Sequence, residues 1–238
     1  MVDLSNLPKH APEYDLEKLL EAGCHFGHQS RRWHPKMKPW IYMEKDGVHI
    51  FDLAKTAAQL QLAYDYAYSL GKQGKTLVVV GTKRQAKDLV KELCEKMDVG
   101  FIYSRWLGGL LTNWEQVKRS LKRMIDVEEG LKTGKFSGYT KYERTMMEKE
   151  VNRLERFFGG LRKLKNAPDA LFIIDPGREK VVVKEAGITN VPVIALIDTN
   201  TDPTPIDLPI PANDDAFKSI ELVMTEVLSG YEAGRKAK

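Results

Sequence analysis

Three apolar runs constrain this chain more than any other feature. Leu77-Val78-Val79-Val80, Leu171-Phe172-Ile173-Ile174 and residues 191–197 are continuous rather than alternating. A strand that is apolar at every position is covered on both faces, and such strands belong mostly to parallel sheets flanked by helices. Each run has strand length and falls far short of the ~20 residues that cross a bilayer.

The segments between these runs complete an α/β pattern. A short helix is expected over 15–22, opened by Asp15 and closed by Gly23. Residues 40–42 and 48–51, joined across Asp46-Gly47, predict a hairpin. Helices follow over 54–70, 85–97, 180–186 and 214–228, with Gly187 closing the third. Further strands are predicted over 99–103 and 207–210, and residues 230–238 read as a polar, basic tail. Alternating strands and helices imply a doubly wound parallel sheet.

Residues 114–165 break this rhythm. Trp114, Val117, Leu121, Met124 and Leu131, then Met147, Val151, Leu154, Phe158 and Leu161, recur at coiled-coil-like spacings. Gly130, Gly134 and Gly138 punctuate the join, and Thr112/Glu115 and Thr140/Glu143 have capping-box spacing. The expected organisation is an α/β domain over 1–113 and 166–238, with an inserted antiparallel coiled-coil hairpin over 114–165. Arms of about 20 residues would reach roughly 30 Å.

Charge separates along the same line. The whole chain carries a formal +4. Residues 114–165 hold fourteen basic and eight acidic side chains, a surplus of six, and the remainder is acidic by two. A localised surplus on a projecting element is an electrostatic footprint for nucleic acid. Lys118-Arg119 and Lys122-Arg123 share one helix face, joined by Arg153 and Arg156 on the second helix. The alternative for these residues is an ordinary solvated face. Residues 25–38 add Arg31, Arg32, Lys36 and Lys38 with Trp33 among them and no acid, a combination suited to RNA. Lys83 and Arg84, after a strand and before a helix, are candidates for a phosphate.

Other chemistry is mostly excluded. Neither phosphate-loop fingerprint is present, and no nucleophile elbow or metalloprotease motif appears, so no catalytic residue is assigned. Two cysteines, Cys24 and Cys94, are too few for a disulfide framework and suit a reducing, cytoplasmic setting. Residues 1–12 lack the apolar stretch of a secretory leader. Asp198-Thr199-Asn200-Thr201-Asp202 opens like a calcium loop, but prolines stand at 203 and 209 where Gly and Glu are needed. The candidates kept for Mg²⁺ or Zn²⁺ are His25, Asp198 and Asp214, with Asp215 able to fold back beside them; no cofactor is otherwise called for.

Several segments together resemble one family. They are His25-Phe26-Gly27-His28-Gln29, Trp33-His34-Pro35-Lys36-Met37-Lys38-Pro39, Gly81-Thr82-Lys83-Arg84, Arg105-Trp106-Leu107-Gly108-Gly109-Leu110-Leu111-Thr112-Asn113-Trp114, Pro168-Asp169-Ala170-Leu171-Phe172-Ile173-Ile174-Asp175 and Ile197-Asp198-Thr199-Asn200-Thr201-Asp202-Pro203. In this order they resemble the bacterial small-subunit ribosomal protein S-two family over residues 15–228. The resemblance implies a flavodoxin-like α/β domain with an inserted coiled-coil hairpin and no enzymatic activity. It implies 16S-type ribosomal RNA as partner, at the head–body junction on the solvent side of the small subunit. Neighbours would be S-one, the mRNA-binding protein, together with S-three, S-five and S-eight. No membrane and no small-molecule substrate are implied. Two other readings stand beside it: a doubly wound enzyme using the sheet's switch point, and a scaffold recruiting S-one through the hairpin or the acidic 198–215 segment.

Overall fold

The computed structural model describes residues 9–11 and 13–238. The reading of residues 1–12 as lacking a leader therefore lies largely outside the described residues. The chain builds α1 (Leu16–Glu21), β1 (Phe26–Gln29), β2 (Ile41–Lys45), β3 (Val48–Phe51), α2 (Leu53–Gln73), β4 (Leu77–Val80), α3 (Lys87–Met97) and β5 (Gly100–Ile102). It continues with α4 (Trp114–Lys132), α5 (Lys141–Phe158), β6 (Ala170–Ile174), α6 (Lys180–Thr189), β7 (Val193–Ile197), β8 (Leu208–Pro211) and α7 (Phe217–Lys236).

The large sheet has the order β5-β4-β6-β7-β8, with every pair parallel. Numbered along the chain within this sheet, that is 2-1-3-4-5, the order of flavodoxin-like sheets. Its apolar strands are covered on both faces. Val79, Phe172, Ile194 and Leu196 pack with residues of α2, α3 and α7. Val78, Val80, Leu171, Ile173, Ala195 and Ile197 pack with α6 and the feet of α4 and α5. Successive residues thus enter opposite cores, the period-two geometry of a strand.

A second sheet, β1-β3-β2, is antiparallel. Its β2–β3 turn places Asp46 at φ 53° and Gly47 at φ 74°. Two successive left-handed residues make the primed turn that matches strand twist. β1 had no sequence signal; it forms because the segment has β3 to pair with.

Three helix expectations need correction. Residues 230–238 are no loose tail: α7 runs to Lys236, with Gly230, Tyr231 and Gly234 buried. The reason is close packing on α2. A Cβ on Gly230 would stand 2.7 Å from the Tyr64 carbonyl oxygen, and one on Gly234 would overlap the Tyr68 carbonyl. Only glycine lets the two backbones approach so closely. Secondly, α6 passes through Gly187 and ends on Asn190 at φ 54°, a left-handed residue that closes it instead. Finally, Thr112/Glu115 is not a capping box. α4 starts after Asn113 with no side-chain cap, and Thr112 faces Glu185. The Thr140/Glu143 box on α5 does form, with both reciprocal bonds present.

Candidate nucleic-acid interface and the carboxyl end of the sheet

Strand order reverses between β4 and β6, so the ligand crevice of a doubly wound sheet lies beyond their carboxyl ends. Here that crevice is filled by the chain's own side chains. After β4, Gly81-Thr82-Lys83-Arg84 does not open a helix directly; α3 begins at Lys87. Lys83 turns inward and is 9 % exposed. Its Nζ lies 2.7 Å from Asp214, 2.6 Å from Asp215 and 3.6 Å from Asp175. Beside it, the Thr82 hydroxyl donates to the Glu179 carboxylate. Burial opposes the charge of Lys83, but Asp214 and its neighbours outweigh that and hold its pKa above the ordinary lysine value.

The small sheet roofs this end. The His28 amide donates to Thr199 Oγ1 at 2.9 Å and to Asp198 Oδ1 at 3.2 Å. Its ring places Nδ1 2.9 Å from Asp198 and Nε2 3.5 Å from Asp215. Gly27 makes this approach possible, since a Cβ there would stand 2.6 Å from Thr199 Cγ2. The hydrogen bond that its Nδ1 donates to Asp198 raises the His28 pKa above the usual histidine value. Burial, aided by Asp198 and Asp175, pushes the Asp214 carboxyl up to about 7 despite Lys83. Its Oδ2 is buried and has no hydrogen-bond partner among the described residues.

Ligand atoms of His28, Asp198, Asp214 and Asp215 all lie within 4.8 Å of one another. One imidazole and three carboxylates are donors of the kind that hold Zn²⁺ or Mg²⁺, but the Lys83 ammonium already pairs with Asp214 and Asp215. Asp198 and Asp214 were expected here. His25 was not brought in: it lies against Phe26 with ring centroids 4.0 Å apart, and His28 takes the place intended for it. His25 precedes β1, whereas His28 lies within it.

The basic candidates divide by what they touch. Lys83 is committed to carboxylates inside the protein and so leaves the set facing solvent. Lys36 is exposed but bonds Asp202 at 3.0 Å and Thr204 at 2.6 Å. Arg123 pairs with Glu150 across α4 and α5 at 3.1 Å. Among the described residues Arg31 reaches only Gln29, at 3.0 Å. Arg156 lies over the Phe157 ring at 4.9 Å. Arg32, Lys38, Arg84, Lys118, Arg119, Lys122 and Arg153 are exposed, and no carboxylate pairs with them among the described residues.

One residue that no motif marked organises the entry to α4. Glu185 on α6 is 6 % exposed. Its carboxylate accepts from Trp106 Nε1 at 3.1 Å, the Gly109 amide at 2.7 Å and the Leu111 amide at 3.1 Å. Burial would raise its pKa, but these donors hold it below the usual glutamate value. The available signal was its position: Glu185 shares the buried stripe of Val182 and Ala186 on α6, where a carboxylate is costly unless bonded.

Among the described residues, no helix is long and apolar enough to cross a membrane. Compared with known proteins, residues 19–234 match the family described as ribosomal protein S2. A relative from a Nitratiruptor species, the small ribosomal subunit protein uS2, is 44% identical over 221 residues. The match covers 93% of this chain and 83% of that protein. On these two findings the chain belongs to the ribosomal protein S2 family, whose members are structural rather than enzymatic.

Proposed function

We propose that this chain is a structural constituent of the small ribosomal subunit that binds small-subunit ribosomal RNA of the 16S type. Residues 114–165 act as an inserted coiled-coil arm on an α/β body made of 1–113 and 166–238. α4 and α5 support this reading: Val117, Leu121, Met124, Val151 and Phe158 are buried in one cluster with Leu154 packed against it. The observation that carries the proposal is the row of exposed, unpaired cations on that arm, Lys118, Arg119, Lys122 and Arg153, in a chain of this family. Arg31, Arg32, Lys36, Lys38, Arg84, Arg123 and Arg156 extend the contact. Contacts of this kind position a protein on RNA by shape rather than by reading bases.

The seat is the head–body junction on the solvent side of the ribosome in the cytoplasm, near S-three, S-five and S-eight. The acidic 198–215 segment, with Asp202 and Asp215 at the surface, is the face offered to the mRNA-binding protein S-one. Co-sedimentation with small subunits across a salt series tests the assignment. Binding that falls steeply with salt supports it, by a log–log slope of about 0.7–0.9 per phosphate contact; salt-insensitive association contradicts it. Pull-down of S-one after RNase digestion separates direct from RNA-bridged docking.

A further inference from the structure

A groove of about 440 Å³ lies where α4 meets the segment returning to β6. Its volume falls within the roughly 300–1,000 Å³ of small-ligand pockets. Lys118 and Lys122, one turn apart on α4, stand on one side; Lys165 and Asn166 stand on the other. Leu121, Ile125 and Leu164 form the floor, and among the described residues no carboxylate lines it.

Arg162 also lines the groove, and it differs from the lysines. Its Nη1 lies 2.8 Å from Glu128, and its Nε donates to Glu155 at 2.8 Å. Two carboxylates neutralise this guanidinium and pin its plane. A pinned, neutralised guanidinium contributes little net attraction for phosphate, but it is planar and held in place. Arginine planes of this kind are stacking platforms for unpaired RNA bases.

We propose that this groove holds one unpaired ribonucleotide of the bound RNA. Its base lies on the Arg162 plane and the aliphatic floor, and its flanking phosphates meet Lys118, Lys122 and Lys165. The inference rests on the RNA reading above and adds a nucleotide seat that includes Arg162, Lys165 and Asn166, which the charge pattern alone did not single out. The groove's chemistry argues for RNA over an acidic protein segment: an apolar floor beside a stacking plane suits a base, whereas acidic side chains would need only the lysines.

The test is titration of the full chain with small-subunit ribosomal RNA over a potassium chloride series, with thermal unfolding of each variant as a fold control. Lys118→Ala/Lys122→Ala/Lys165→Ala should weaken binding at least ten-fold and flatten the salt slope by about 2.1–2.7, near 0.7–0.9 for each lost contact. Arg162→Lys keeps the charge but removes the plane; affinity should fall about ten-fold with the salt slope unchanged, the size of one lost base stack. A triple variant matching a wild type that itself binds RNA overturns the groove and leaves the RNA reading intact. An Arg162→Lys chain indistinguishable from wild type overturns the base seat. A wild-type chain with no salt-dependent RNA binding overturns both.

Discussion

The indole Nε1 of Trp106 donates to Oε1 of Glu185 at 3.1 Å, tying the loop that feeds α4 to a helix on the sheet's face. The same carboxylate takes the Gly109 and Leu111 amides. Glu185 therefore fixes the loop that enters α4. Truncation to alanine strands two buried donors and one half-buried one, so Glu185→Ala should cost about 3 kcal/mol. Glu185→Gln, which keeps one acceptor oxygen, should cost less. Denaturant unfolding measures both; a loss under about 0.5 kcal/mol for the alanine variant would remove this role from Glu185.

The pH dependence follows from the direction of the Glu185 shift. Its folded pKa lies below the ordinary glutamate value, held there by the amides and indole against the opposing effect of burial. The unfolded chain therefore takes up this proton first as pH falls. The stabilisation is complete above the ordinary glutamate range and is lost as pH drops through the folded pKa. Stability curves of wild type and Glu185→Gln should converge in acid and separate toward neutrality. Parallel curves would count against the assignment.

Lys83 balances a buried acid. Removing one partner of a buried ion pair typically costs about 3–5 kcal/mol. Lys83→Met should approach the lower end, because Asp214, with its pKa near 7, can take a proton in response. Asp214→Asn added to Lys83→Met should recover part of the loss. Thermal unfolding of the single and double variants reads this, and the absence of recovery would mean that Lys83 acts mainly through Asp215 and Asp175.

Alanine ordinarily stabilises an exposed helix by about 1 kcal/mol over glycine. At Gly71 and Gly234 the sign should reverse. A Cβ on either would overlap backbone of the facing helix, the Tyr231 carbonyl for Gly71 and the Tyr68 carbonyl for Gly234. Overpacking of this kind costs about 1–3 kcal/mol. A raised melting temperature for Gly234→Ala would show that α2 and α7 are less tightly docked than the structure has them.

Charge reversal on α4 separates binding from folding. Lys118→Glu, Arg119→Glu and Lys122→Glu together alter exposed, unpaired side chains. They should leave the unfolding midpoint within about 0.5 kcal/mol of wild type and sharply reduce incorporation into small subunits. Arg123→Glu should also cost some stability, because Arg123 holds Glu150 across the two helices. Normal incorporation of the triple variant would move the RNA face elsewhere on the protein.

Much of this molecule is determined by local pattern alone. The unbroken apolar runs at 77–80, 171–174 and 191–197 have no stable solution except strands covered on both sides. Asp46-Gly47 accepts the left-handed turn its hairpin needs. The three-and-four spacing of 114–165 requires helices with one apolar stripe each, and the Thr140–Glu143 box needs only its own turn. The uneven charge is likewise a property of sequence.

What tertiary structure decided are the outcomes that depend on which distant residue arrives as a neighbour. Lys83 and Arg84 are adjacent and chemically alike, yet one is locked among three carboxylates and the other is exposed. His25 was the candidate histidine, but with β1 paired to β3 it is His28 that meets Asp198. Thr112 met Glu185 instead of capping its helix, and residues 230–236 stayed helical because glycines let α7 lie against α2. A side chain's partner sets its charge environment, and partners many tens of residues away leave no periodicity to read.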